Sequence, residues 1–138
     1  MQDMNPDLLA HPLAKYCNHL EFNGYRVEER DNSLDCDHHS KPCFFVDYYP
    51  NTKQISIYYA YDFKSNIQRE SLLEYVNDLN SKFKAMKAYI DENNLLVTEI
   101  FLEDDYDRTK FSILLEKIQN DIIKIFWQHE LTPEYLII

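Results

Sequence analysis

The chain has 138 residues and sets 14 basic against 24 acidic side chains, a formal net charge of −10. That balance argues against nucleic acid and against an anionic membrane surface as partners, because both are gripped through clustered lysine and arginine. With Gly24 as the only glycine, the glycine-rich loops that cradle phosphates are excluded.

Hydrophobic residues make up 45% of the chain, enough for one globular domain over residues 1–138, with 1–10 and 130–138 as peripheral tails. Cys17, Cys36 and Cys43 cannot all pair within one chain. The first residues lack the apolar core of a signal peptide, and no stretch approaches the ~20 apolar residues that cross a bilayer. These features together predict a cytoplasmic protein.

A first helix is predicted from near Pro12, since proline suits a first turn whose N–H groups are unpaired anyway. Leu13, Tyr16, Cys17 and Leu20 then fall on one helical stripe. Gly24 can take the left-handed conformation that closes the helix. Residues 25–30 read as a short strand with Tyr25 and Val27 inward. Residues 31–42 read as a polar connection with room for a brief strand around Leu34 and Cys36.

Residues 43–49 and 54–61 form a hairpin around a turn at 50–53. Its register sets Tyr48 opposite Ile55, Val46 opposite Ile57 and Phe44 opposite Tyr59, all on one face. A slip of one residue would turn Asp47 and Ser56 toward the core. The opposite face carries Phe45, Tyr49 and Tyr58 beside Gln54 and Ser56, a polar surface with an aromatic strip.

Ser65 with Gln68 three residues on predicts a capping box at the start of a second helix. Leu72, Val76 and Leu79 form its stripe, widened by Leu73 and Tyr75. Residues 83–103 make a second hairpin with its tip at 91–94, held between two helices. The acidic run 103–107 suits the positive end of a last helix spanning 108–129.

That helix presents Phe111, Leu114, Leu115, Ile118, Ile122, Ile125 and Phe126 as one long stripe. Ile113, Ile123 and Trp127 lie off it. One sheet does not cover all ten, which points to self-association through these three, and the apolar tail must dock on this chain or another. The sum is an α+β fold, an antiparallel sheet of about five strands with three helices in the order α-β-β-β-α-β-β-α.

That order of elements resembles the YbjN family of small bacterial proteins, similar in fold to the class I chaperones of type III secretion. The resemblance rests on LEFNGYRVEE at 20–29, the strand pair FFVDYY and QISIYYAY, and LLEYVNDLNSKF at 72–83 running into KAYIDENNLLVTEIFLE. It covers roughly residues 13–127. It implies an α+β domain that often dimerises and binds other proteins, without a cofactor or an agreed enzymatic activity. The segment 31–42 with its adjacent histidines and the apolar tail both depart from that pattern.

Reactive groups are sparse. Cys36, His38, His39 and Cys43 are donors that zinc favours, but a second ligand pair on another element is missing, and a polar loop feeding an edge strand accounts for them better than a metal site. Cys17 lies in an apolar stripe as a small hydrophobe, two residues from His19 and not facing it. The carboxylates of 103–107 have no glycine-turned loop to arrange them around calcium.

Tyrosine, present 11 times, covers large area at modest entropic cost in protein interfaces. The sequence therefore predicts a non-enzymatic protein-binding or chaperone-like module, probing its partner with Phe45, Tyr49 and Tyr58 and forming a homodimer. Two other readings stay open: a metal-dependent regulator or enzyme built on 36–43, and an acidic immunity or antitoxin-type inhibitor.

Overall fold

A computed structural model describes residues 11–138, so the lead-in expected at 1–10 lies outside the described residues. The first half runs α1 (Ala14–Phe22), β1 (Arg26–Arg30), β2 (Ser33–Asp37), β3 (Phe44–Tyr49), β4 (Gln54–Phe63) and α2 (Arg69–Lys82). The second half runs β5 (Lys87–Ile90), β6 (Leu95–Glu103), α3 (Arg108–Asn120), a π-helical segment (Asp121–Phe126), α4 (Thr132–Tyr135) and β7 (Leu136–Ile137). The strands form one antiparallel sheet in the order β1-β2-β3-β4-β6-β5, with β7 added to the end of β4.

The mixed α+β class and the antiparallel sheet are as expected, but the strand count is higher. The polar connection of 31–42 contains a full strand, β2, paired to β1 across the two-residue turn Asp31-Asn32. Leu34 and Cys36 point into the core while Ser33, Asp35 and Asp37 take the other side, the alternation of a half-buried strand. Register in the β3–β4 hairpin follows the hydrophobic alternation, with Tyr48 opposite Ile55 and Val46 opposite Ile57. The rings of Phe44 and Tyr59 lie with centroids 5.7 Å apart.

All long helices cover one face of the sheet. Leu13, Tyr16, Cys17 and Leu20 of the first helix, Tyr75, Val76 and Leu79 of the second, and Phe111, Leu115, Ile118, Ile122 and Phe126 share one cluster with Leu34, Phe44, Val46, Ile55, Ile57 and Leu96. Gly24 ends α1 at φ +90°, the conformation its position demands.

Three local expectations are corrected. The second helix starts at Arg69, not Ser65: Gln68 occupies the cap position without a side-chain bond, and Asn66 sits at φ 67°, a turn that no helix can include. Leu73 is exposed and Leu72 only half-buried. The last helix is α-helical only to Asn120, after which the amide of Trp127 bonds the carbonyl of Ile122 five residues back. A cause is visible at its start, where the Asp121 carboxylate is drawn away to the loop before β5 and accepts from the amides of Lys84, Ala85 and Met86 at 2.8–2.9 Å.

The tail docks on its own chain. Thr132 lies buried, donating to the Phe126 carbonyl at 2.7 Å and sharing a 2.6 Å bond with Tyr75, and Leu136 joins the core. Residues 132–137 are thus part of the body of the fold and not the peripheral tail expected.

Candidate functional site

The sheet face that carries no helix among the described residues is built by strand alternation, which turns there the strand side chains that do not enter the core. Across β3, β4 and β6 the row Phe45, Tyr58, Glu99 lies side by side, followed by the row Asp47, Ser56, Phe101. Lys87 of β5 continues the first row beside Glu99, and Tyr89 lies one pair further along, beside Val97. On this face lies a groove of about 810 Å³, lined by Phe45, Asp47, Tyr49, Tyr58, Tyr89 and Glu99 among others.

The three aromatic residues picked from sequence therefore share one groove. Phe45 and Tyr58 stack with ring centroids 5.3 Å apart, and Tyr49 tilts against Phe101 at 6.0 Å. Phe45, Tyr49 and Phe101 stay exposed, while Tyr58 and Tyr89 are half-covered.

Sequence reasoning missed the polar centre of this groove. Glu99 is 6% exposed and accepts from the Ser56 hydroxyl at 2.6 Å and the Tyr89 hydroxyl at 2.8 Å. Ser56 itself is fully buried on the face where a wet surface was expected. The signal was available as the register, which sets Glu99 beside Tyr58 and one pair away from Ser56, but a lone glutamate in a strand reads as solvent-facing. Burial and Asp47 push the Tyr58 hydroxyl up to about 12. Burial also raises the Asp47 carboxyl, its bond from Tyr58 opposes that, and the charges of Glu99 and Asp35 raise it further.

The soft donors of 36–43 do not converge. Cys36 is in the core, where burial pushes its thiol up to about 12, and Cys43 is exposed. His38 stacks on His39 at 4.6 Å and accepts the Ser40 amide at its Nδ1. Among the described residues no group of three or more His, Cys, Asp or Glu side chains comes together as a metal needs.

His19 is tied instead to Tyr106 (2.7 Å) and Ser112 (3.2 Å), with no carboxylate to orient it as a general base. Burial and then Arg108 lower its pKa. Cys17 is buried and its thiol pushed up to about 11, first by burial and then by Glu21, which favours the protonated thiol over the thiolate.

Of the three residues expected to self-associate, Ile123 (40% exposed) and Trp127 (48% exposed) line one notch with His39, Lys41 and Pro42. Ile113, 51% exposed, lies outside that notch. Among the described residues no helix is long and apolar enough to cross a membrane.

No family model matches the sequence, and no curated protein matches it. Solved structures do. The chain is similar to YbjN of E. coli, a candidate transcription regulator, with a TM-score of 0.62 at 18% identity over 91% of this chain and 94% of that one. It is also similar to a chain of the heterodimeric complex ExoU–SpcU from the type III secretion system of Pseudomonas aeruginosa. There the TM-score is 0.59 at 16% identity over 86% of this chain and 95% of that one. The fold is YbjN-like. At such identities the likeness concerns the path of the backbone, and the YbjN-like sheet is what positions the groove.

Proposed function

We propose that this chain is a non-enzymatic, chaperone-like protein-binding module of the cytosol, and that a partner segment lies along the helix-free face against Phe45, Tyr49 and Tyr58. The observation that carries this reading is the groove itself: aromatic rings left exposed on a sheet face that no element among the described residues covers, while the described long helices pack on the other side. Rigid tyrosine and phenylalanine rings supply contact area with few rotamers to freeze, as protein-binding surfaces require. The neighbours in fold are a candidate regulator and a chain of a secretion-system heterodimer, which supports binding to protein over catalysis. A second copy of the chain covers the apolar notch at Ile123 and Trp127 and the exposed Ile113 outside it, giving a homodimer whose grooves stay free.

Affinity purification from the native cell with wild type and Tyr58→Asp tests the groove. Loss of the partner from Tyr58→Asp, at an unchanged melting temperature, supports it. A partner captured equally by both proteins overturns it.

A further inference from the structure

The carboxylates near the groove differ in what neutralises them. Asp35 and Glu28 are held by the Arg30 guanidinium at 2.8 and 2.7 Å, and Asp37 has Arg26 at 3.4 Å. Asp91 is engaged by the amides of Asn93 and Leu95 at the hairpin tip. Glu92 also lines the groove but is exposed, which leaves Asp47 and Glu99 as the covered carboxylates to account for. Glu99, almost wholly buried, is held by two neutral hydroxyls, and among the described residues neither carboxylate has a cation within 4.0 Å. The lysine nearest in register, Lys87, makes no ion pair with Glu99: its ammonium lies 5.6 Å from the Tyr89 ring and 5.4 Å from the Phe101 ring.

A buried carboxylate without a counter-charge is costly, and the cost is recovered when a cation arrives. The rings of Tyr49, Tyr58 and Tyr89 around it add the attraction that aromatic faces exert on ammonium and guanidinium groups. We infer that the groove captures its partner segment through a lysine or arginine side chain, seated between Asp47 and Glu99 and walled by Tyr49, Tyr58 and Tyr89. The inference rests on the groove being the binding face and adds what chemistry it selects: a basic, extended protein segment. Each Glu99 oxygen accepts one hydroxyl, Ser56 from β4 and Tyr89 from β5, and keeps a further lone pair for an incoming ammonium or guanidinium donor.

The test uses the full chain, isotope-labelled for NMR and titrated with a short synthetic peptide of alternating valine and arginine. The comparison peptide replaces arginine by citrulline, which keeps the shape and removes the charge. The expected result is shifts confined to the amides of β3, β4 and β6 around Phe45, Tyr58 and Glu99, with the citrulline peptide about tenfold weaker or worse. Glu99→Gln should bring the two peptides to the same affinity. Asp47→Asn, at a less buried site, repeats the experiment should Glu99→Gln melt.

Equal affinity of the two peptides for wild type sinks the inference while leaving the groove as a binding face. Shifts centred on the acidic 103–107 segment, or no shifts at all, sink it as well. So does spermidine competing at its own free-amine affinity without loss on Tyr58→Asp. The groove reading itself fails separately, by capture of the native partner on Tyr58→Asp.

Discussion

Asp121 shows how one side chain can hold two elements. It sits at the start of the π-helical segment, fully buried, and its two oxygens take three backbone amides of the loop that leads into β5. Alanine there leaves those donors without an acceptor, and the Met86 bond is itself buried. Asp121→Ala should cost about 3 kcal/mol, read as a lower urea midpoint with an unchanged slope. A cost within experimental error would mean water replaces the carboxylate.

His19 gives a second residue-scale expectation, with a definite sign. Its folded pKa lies below the ordinary 6.5 because burial and Arg108 disfavour the charged ring. The unfolded chain therefore binds the proton first. The neutral ring's contribution is fully present above that ordinary value and is lost as pH falls through the folded pKa. Urea midpoints should drop between pH 7 and pH 5 in wild type, and drop less in His19→Gln, whose amide can still bond Tyr106. An equal acid response in both proteins assigns the effect to other groups.

Among the elements, β5 is a short edge strand with a built-in cover. The Asn80 side chain donates to the Ala88 carbonyl at 2.9 Å and accepts its amide at 2.7 Å, as a neighbouring strand would. Edge strands left open invite pairing with other chains. Asn80→Ala should speed hydrogen exchange at the Ala88 amide about tenfold or more and leave exchange in β4 unchanged. An Ala88 amide that stays as slow would show the edge is protected otherwise.

These elements also show what the chain discloses before folding. Alternation alone fixed the β3–β4 register, because a slip would exchange Val46 and Ile57 for Asp47 and Ser56. The hairpin of 83–103 was equally legible from the polar tip at 91–94 between two apolar runs. β2 was harder: with Asp35 and Asp37 flanking Cys36, only two of its five residues are apolar and buried. The π-helical segment leaves no trace in periodicity, since bonds five residues apart bury nearly the same stripe as bonds four apart. The aromatic half of the groove was visible in β3 and β4, whereas Glu99 reaches it only by the pairing of β6 with the sequence-distant β4, and Tyr89 only through its hairpin with β6.

At the scale of the whole molecule the two faces of the sheet divide the work. One face carries the helices and the continuous core, and the other carries the groove. Apolar surface left over on the helical side, Ile123 and Trp127 beside the 39–42 loop, is then free for a second copy without obstructing either groove. Polar substitution at that notch should therefore separate association from partner binding. Light scattering should give twice the chain mass for wild type, and Ile123→Glu should halve it, because a glutamate buried in an apolar interface loses its hydration with no compensating partner. Ile113→Glu, outside the notch, should weaken the dimer less. Both variants should keep their melting transitions, since neither side chain belongs to the core, and both should retain the partner that Tyr58→Asp loses. A wild-type mass of one chain at high concentration removes the dimer and leaves the groove untouched. Loss of partner binding on Ile123→Glu would instead mean that the groove needs two copies to be complete.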